Sequence, residues 1–144
     1  WDQGFHLHPD ERAIVMSTTP LSFPSSIKEF LSEASPWNPH FFAYGSFPIY
    51  LLKLAANLVS TFNPLYITYE KINIVGRFLS AIFDIGTLYM IFLLGKKLFN
   101  KKTALLGALF YGISVLPIQL SHFYAVDTIL TFFVFLTALV LILF

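Results

Sequence analysis

INIVGRFLSAIFDIGTLYMIFLLGKKLFNKK, residues 72–102, decides the fold. Its first part, 72–95, is mostly apolar, and Arg77 and Asp84 are its only charged residues. A helix needs ~20 such residues to cross the hydrocarbon of a bilayer, so this run is long enough to span. The basic cluster Lys96, Lys97, Lys101 and Lys102 follows immediately. Short loops rich in Lys and Arg stay on the cytoplasmic side, which fixes a direction for the span.

Working outward, residues 103–120 and 126–144 are two further apolar runs, and Asp127 is the only formal charge after Lys102. The charge pattern predicts that 72–95 runs inward, 103–120 runs back out, and residues 121–126 lie at the extracytoplasmic face. Residues 47–62 (FPIYLLKLAANLVSTF) are apolar but contain Pro48, Lys53 and Asn57. This run is short for a span and reads as an interfacial or re-entrant helix. Residues 1–46 then form an extracytoplasmic loop, on the same face as Asp127. Within it, Pro9-Asp10-Glu11 signals a helix start over about 11–18, and Ser25 or Ser26 with Glu29 signals a second helix over about 26–35.

Of the 144 residues, 56% are hydrophobic and 12% charged, and the mean hydropathy is +0.70. Soluble domains carry about 25% charged residues, so the balance points to lipid. Only helices and closed barrels satisfy their backbones there, and unbroken apolar runs do not alternate as barrel strands must. The expected fold class is therefore an all-α integral membrane bundle. The chain has no Cys, which excludes disulfide and thiolate chemistry. The lysine cluster is a topology signal, not a nucleic-acid footprint.

Polar residues cluster in His6-Leu7-His8-Pro9-Asp10-Glu11-Arg12. Adjacent carboxylates beside an Arg can hold one acid ionised as a general base while the other positions it. In an extended stretch His6, His8 and Asp10 share a side, which suits a divalent metal. Asp127 opens an uncharged run; it reads as a functional acid, a helix cap, or both. His122 and Tyr124 precede it and offer hydrogen bonds to a substrate. Arg77 can snorkel or meet a phosphate, and Asp84, deeper in the span, calls for a partner. Lys53 is a further candidate for an anionic headgroup.

HPDERAIVM (8–16), followed by residues 76–141, resembles the N-terminal part of the family 39 glycosyltransferases, which have the GT-C fold. The resemblance is carried by the Asp-Glu pair, a span with Arg77, Ser80-Ala81 and Thr87, the basic turn Leu94–Phe99, and Asp127 before an aromatic-rich span. It implies a GT-C multi-span bundle with a further span ahead of Trp1. It implies a membrane glycosyltransferase that moves a mannose-like sugar from a polyprenyl or dolichyl phosphate to an acceptor hydroxyl on a protein, glycan or lipid. Asp10 would be the catalytic base, with Glu11 and Asp127 as further functional acids. Some members carry Glu-Lys-Pro before the interfacial helix; here Phe47 precedes Pro48, so the phosphate cation would be Lys53, Arg12 or Arg77. Many members have Pro after the second Asp, where this chain has Thr128. No nucleotide leaves, so no cofactor is required; a divalent metal on His6 and His8 would be an addition.

Two other classes compete. A transporter or channel fragment would line a pathway with Asp84 and Asp127, but would repeat polar residues along several spans. A non-catalytic assembly subunit leaves the acids without a common task.

Overall fold

The computed structural model describes residues 6–143, and the chain divides into two compact units, Trp1–Gly76 and Arg77–Phe144. The elements in order are α1 (Pro9–Thr18), α2 (Ile27–Phe30), α3 (Phe47–Ser60), a 3₁₀ turn (Pro64–Ile67), α4 (Ile72–Leu98), α5 (Lys101–Gly112), α6 (Val115–Ser121) and α7 (Val126–Leu143). No strand occurs among the described residues. The all-helical expectation holds.

In the first unit α1 packs on α3, and α3 packs on the 3₁₀ turn. Each of the two helices buries one stripe at helical spacing. On α1 the stripe is Glu11, Ile14, Val15 and Thr18; on α3 it is Ile49, Leu52, Lys53 and Ala56. Both stripes therefore place an ionisable residue in the core. Pro20 stops α1, because its ring collides with the carbonyl four residues back. Before that, Ser17, Thr18 and Thr19 turn their hydroxyls onto the carbonyls of Ala13, Ile14 and Val15. α2 is shorter than its signals suggested. Ser26 caps the turn by accepting from the Glu29 amide at 3.2 Å, and Glu29 Oε2 reaches back to the amide of Ser25, one residue before the cap, in a variant of the capping box. The Ser32 hydroxyl then takes the Glu29 carbonyl at 2.7 Å, and the turn closes after Phe30.

The second unit carries the long apolar helices. α4 has 27 residues and α7 has 18, and both are long and apolar enough to cross a membrane. Met90 and Leu94 of α4 meet Leu139 of α7 in a buried cluster flanked by Phe132, Phe135 and Leu136. Phe83 stands edge-on to Phe132 at 5.0 Å. Large apolar side chains such as Leu105, Phe110, Leu130 and Val134 stay exposed, as lipid-facing residues do. Asn100 caps α5 by accepting from the Thr103 amide at 3.0 Å, which makes the basic turn tight.

The run read as one span over 103–120 is two helices, α5 and α6, bent by 60°. Pro117 explains the break. Its ring excludes the helical position of the Ile113 carbonyl, and Gly112 and Ser114 supply a weak point one turn earlier. Ser114 adopts an extended conformation, ψ 135°, and α6 restarts from it. The pair is a broken span or a re-entrant element. Asp84 finds its partner on the near side of this bend, where the Tyr111 hydroxyl donates to its Oδ1 at 2.7 Å.

Close packing of α4 on α5 depends on Gly95. A Cβ there would lie 2.8 Å from the Ala104 Cα, whereas one at Gly107 would meet only Ile91, at 3.8 Å. Gly95→Ala is therefore expected to lower the unfolding midpoint in detergent, with overpacking of ~1–3 kcal/mol outweighing the gain in helix propensity. Gly107→Ala is expected to leave the midpoint unchanged or raise it by up to ~1 kcal/mol. Urea unfolding followed by circular dichroism separates the two.

Candidate active site

Asp10 owes its position to Pro9. Proline is tolerated at the first helical position, where its missing N–H is not needed. That makes Asp10 the second residue of α1, close to the end of the helix dipole that stabilises negative charge. The Tyr44 hydroxyl donates to Asp10 Oδ1 at 2.7 Å. Tyr44 is itself fixed locally: the Gly45 amide donates to the Phe42 carbonyl at 3.0 Å, and Gly45 turns the chain with φ of +72°. Such a φ favours glycine. Phe41 meets the Tyr44 ring edge-on at 5.4 Å. Asp10 is half-buried, and its Oδ2 has no hydrogen-bond partner among the described residues. One oxygen is anchored and the other is available to a ligand.

Glu11, the next residue, behaves differently. One step along a helix turns it into the core stripe, and it is fully buried. The Asp-Glu pair is thus divided between a surface acid and a core acid. Arg12 is exposed, and its guanidinium has no partner among the described residues.

His6, His8 and Asp10 do not converge. Their alternation required extended backbone, but the helix starts at Pro9 and His6 has φ of +48°. No group of three or more His, Asp or Glu able to hold a metal ion occurs among the described residues. His6 is instead buried against the Tyr69 ring, with centroids 4.6 Å apart, and neither ring nitrogen has a hydrogen-bond partner among the described residues.

Lys53 is 5% exposed, and its ammonium donates to the Thr19 carbonyl at 3.3 Å. It meets no carboxylate among the described residues. Thr19 is the C-cap of α1, so Lys53 clamps the negative end of that helix. Asp10 stands at the other end, about 15 Å away by helical rise. Lys53 therefore sits at the wrong end of α1 to meet a phosphate beside Asp10. Burial pushes its ammonium below the ordinary lysine range.

In the second unit, Asp127 is exposed on the second residue of α7, the same helix position that Asp10 holds on α1. A helix-start position and a functional role are compatible for it, since a dipole-stabilised acid is still open to a ligand. His122 is exposed at the end of α6, its Nδ1 on the Ile118 carbonyl at 2.5 Å. A carbonyl only accepts, so Nδ1 carries the proton and Nε2 is the accepting nitrogen. Tyr124 is fully buried, which pushes its phenol above the ordinary range and keeps it a donor. Arg77 is half-buried in the first half of α4.

Two features escaped the sequence reading. Tyr44 lies 34 residues from Asp10, and no local spacing joins them. Lys53 as a helix clamp is the second: its contact with the Thr19 carbonyl also spans 34 residues, and only the helical spacing of Ile49, Leu52, Lys53 and Ala56 hinted that it faces the core.

No curated protein and no solved structure matches the chain. The sequence pattern of the family described as dolichyl-phosphate-mannose-protein mannosyltransferase matches residues 65–144, from the 3₁₀ turn through α7 and more than half of the chain. The two long apolar helices, the bent pair and this match together make the chain a membrane protein that belongs to the dolichyl-phosphate-mannose-protein mannosyltransferase family of glycosyltransferases.

Proposed function

We propose that the chain forms part of an enzyme that moves a mannose-like sugar from a polyprenyl phosphate to an acceptor hydroxyl at the extracytoplasmic face, with Asp10 as general base. The observation that carries the reading is the state of Asp10: half-buried, anchored through Oδ1 by Tyr44, and open at Oδ2. Family membership supports the reaction class. The matched segment begins after Asp10, so the assignment of the base rests on its geometry and on the resemblance around it.

The acceptor oxygen attacks the anomeric carbon from the side opposite the phosphate. Asp10 Oδ2 takes the hydroxyl proton, and the bond from the anomeric carbon to the phosphate oxygen breaks. Polyprenyl phosphate leaves with that electron pair, and the configuration inverts. General-base action of this kind contributes ~10²–10⁴-fold. A fixed cation that meets the charge growing on the phosphate lowers the barrier further. Arg12, exposed and unpaired among the described residues, and Arg77, at the head of the first span, are the groups suited to it. Asp127 at the mouth of α7 and the Nε2 of His122 are suited to the hydroxyls of the sugar or the acceptor. The pathway alternative finds no support in Asp84, whose carboxylate is engaged by Tyr111.

Membranes containing the full-length protein and a labelled polyprenyl-phosphate mannose test the base. Asp10→Asn is expected to lower transfer by ~10²–10⁴-fold while the donor still binds. Undiminished transfer by this variant would sink the proposal. Tyr44→Phe leaves the carboxylate but frees it to rotate, and is expected to cost ~10-fold in turnover and about 1–2 kcal/mol in stability. Lys53→Met is expected to leave turnover within about twofold, because Lys53 serves the helix end. Its signature is in stability. The folded pKa of Lys53 lies below its unfolded value, so the unfolded chain binds more protons between the two. Wild-type stability contributed by this group therefore rises with pH as the folded pKa is passed, up to about 10.4, the unperturbed value. Denaturation midpoints measured at neutral and alkaline pH are expected to differ less in Lys53→Met than in wild type.

A further inference from the structure

We propose that the loop between α2 and α3 holds a saccharide subsite, with Trp37 at its centre, that takes a hexopyranose ring of the acceptor. The site lies wholly in the first unit. A cavity of about 240 Å³ is lined by Phe30, Ser35, Trp37, Asn38, Phe42 and Tyr50, with Ser32 at its edge. That is below the ~300–1,000 Å³ of pockets for drug-sized ligands, and suits a single ring.

The chemistry of the lining selects the ligand class. Trp37 stacks on Phe23, with ring centroids 4.6 Å apart and planes 20° apart, and on Tyr50 at 5.4 Å and 1°. The Tyr50 hydroxyl donates to the Trp37 carbonyl at 3.2 Å, so the stack is locked to its own backbone. The stack holds Trp37 and Tyr50 rigid, and Phe30 and Phe42 add aromatic surface to the lining, so apolar contact costs little conformational entropy on binding. Around them, several polar groups keep unused capacity. The indole N–H of Trp37 has no acceptor among the described residues. Ser35 is 5% exposed, and its oxygen accepts from the Trp37 amide at 3.3 Å while its own O–H has no acceptor among the described residues. Asn38 spends its carbonyl oxygen on the His40 amide and one amide hydrogen on the Glu33 carbonyl, at 3.0 Å and 3.4 Å, leaving a second hydrogen. An acyl chain would strand these donors at a cost of ~1–3 kcal/mol each if buried. A pyranose ring has apolar C–H faces for the aromatic rings and hydroxyls for the donors.

The same loop serves Asp10. Phe42 lines the cavity, and Tyr44, two residues on, donates to the Asp10 carboxylate. The Gly45 turn joins them. A ring seated against Phe42 is thereby coupled to the group that orients the base. The acceptor role rests on the reading of Asp10 as base; the binding of a saccharide does not.

The test uses the full-length protein in detergent or nanodiscs, titrated with methyl α-D-mannopyranoside and α-mannobiose and followed by tryptophan fluorescence and saturation-transfer NMR. Phe42 is 61% exposed and lies outside the buried core, so Phe42→Ala keeps the fold. Loss of one aromatic wall is expected to weaken saccharide binding about threefold to tenfold. In transfer assays the same variant is expected to raise KM for a glycan acceptor by a similar factor, with donor KM unchanged. The fluorescence response is expected to vanish in Trp37→Phe. Absence of a saccharide response in wild type overturns the subsite, as does equal binding in wild type and Phe42→Ala. A response to a Ser/Thr-rich peptide in place of the saccharides also overturns it. If Asp10→Asn retains transfer while Phe42→Ala loses saccharide binding, the base fails and the subsite stands.

Discussion

Every backbone N–H and C=O placed in hydrocarbon must find its partner within the protein, and this constraint shapes the chain from Ile72 onward. α4 and α7 meet it by unbroken helical hydrogen bonding. The bend between α5 and α6 meets it locally. The Ile113 amide reaches the Leu109 carbonyl at 3.0 Å, the Ser114 amide reaches Tyr111 at 3.1 Å, and the Ser114 hydroxyl takes the Phe110 carbonyl at 2.6 Å. The Ile118 amide then returns to the Ser114 carbonyl at 3.4 Å. These bonds re-pair part of the backbone that Pro117 forces out of the helix. The Tyr111 hydroxyl, just before the break, satisfies the carboxylate of Asp84. The one acid within the first span is thereby tied to the element that bends.

The first unit obeys a different economy. Its core is small, and two of its helical stripes include Glu11 and Lys53. A buried ionisable group is costly unless it is hydrogen-bonded. Lys53 offsets part of that cost at the Thr19 carbonyl, where an orphan carbonyl at the end of α1 needs a donor. The arrangement fixes α1 against α3 at its C-terminal end and leaves its N-terminal end to carry Asp10. A helix held at one end by a buried cation, and presenting an acid at the other, places that acid reproducibly without burying it.

The legible parts of the sequence were those governed by local spacing. Residues 72–95 announced a span because the apolar run exceeds the bilayer thickness, and the structure extends it through Lys96 and Lys97 to Leu98. The Ser26-Glu29 capping box and the Pro9 helix start were read from three or four residues each. The bend at Ile113 carried its own signal in Gly112, Ser114 and Pro117, but uniform hydropathy masked it. His6, His8 and Asp10 do not share one side as an extended stretch would place them, because alternation applies to a strand and the helix begins at Pro9. Tyr44 was beyond reach for a plainer reason, since its contact with Asp10 is made by tertiary packing alone.

The division of the Asp10-Glu11 pair sharpens what a general base needs in such a site. An acid buried like Glu11 is held in one position, but it is sealed from the acceptor. An acid exposed like Asp127 is open, and none of its carboxylate's partners is a fixed donor among the described residues. Asp10 lies between these limits: half-buried, with one oxygen held at 2.7 Å and the other open. Catalysis by proton transfer asks for both geometry and access, because the base must lie within hydrogen-bond reach of the proton it removes. Asp10 combines a fixed donor with a second oxygen that has no partner among the described residues. The tyrosine that provides this comes from the loop lining the saccharide cavity, so acceptor binding and base orientation share one segment of chain.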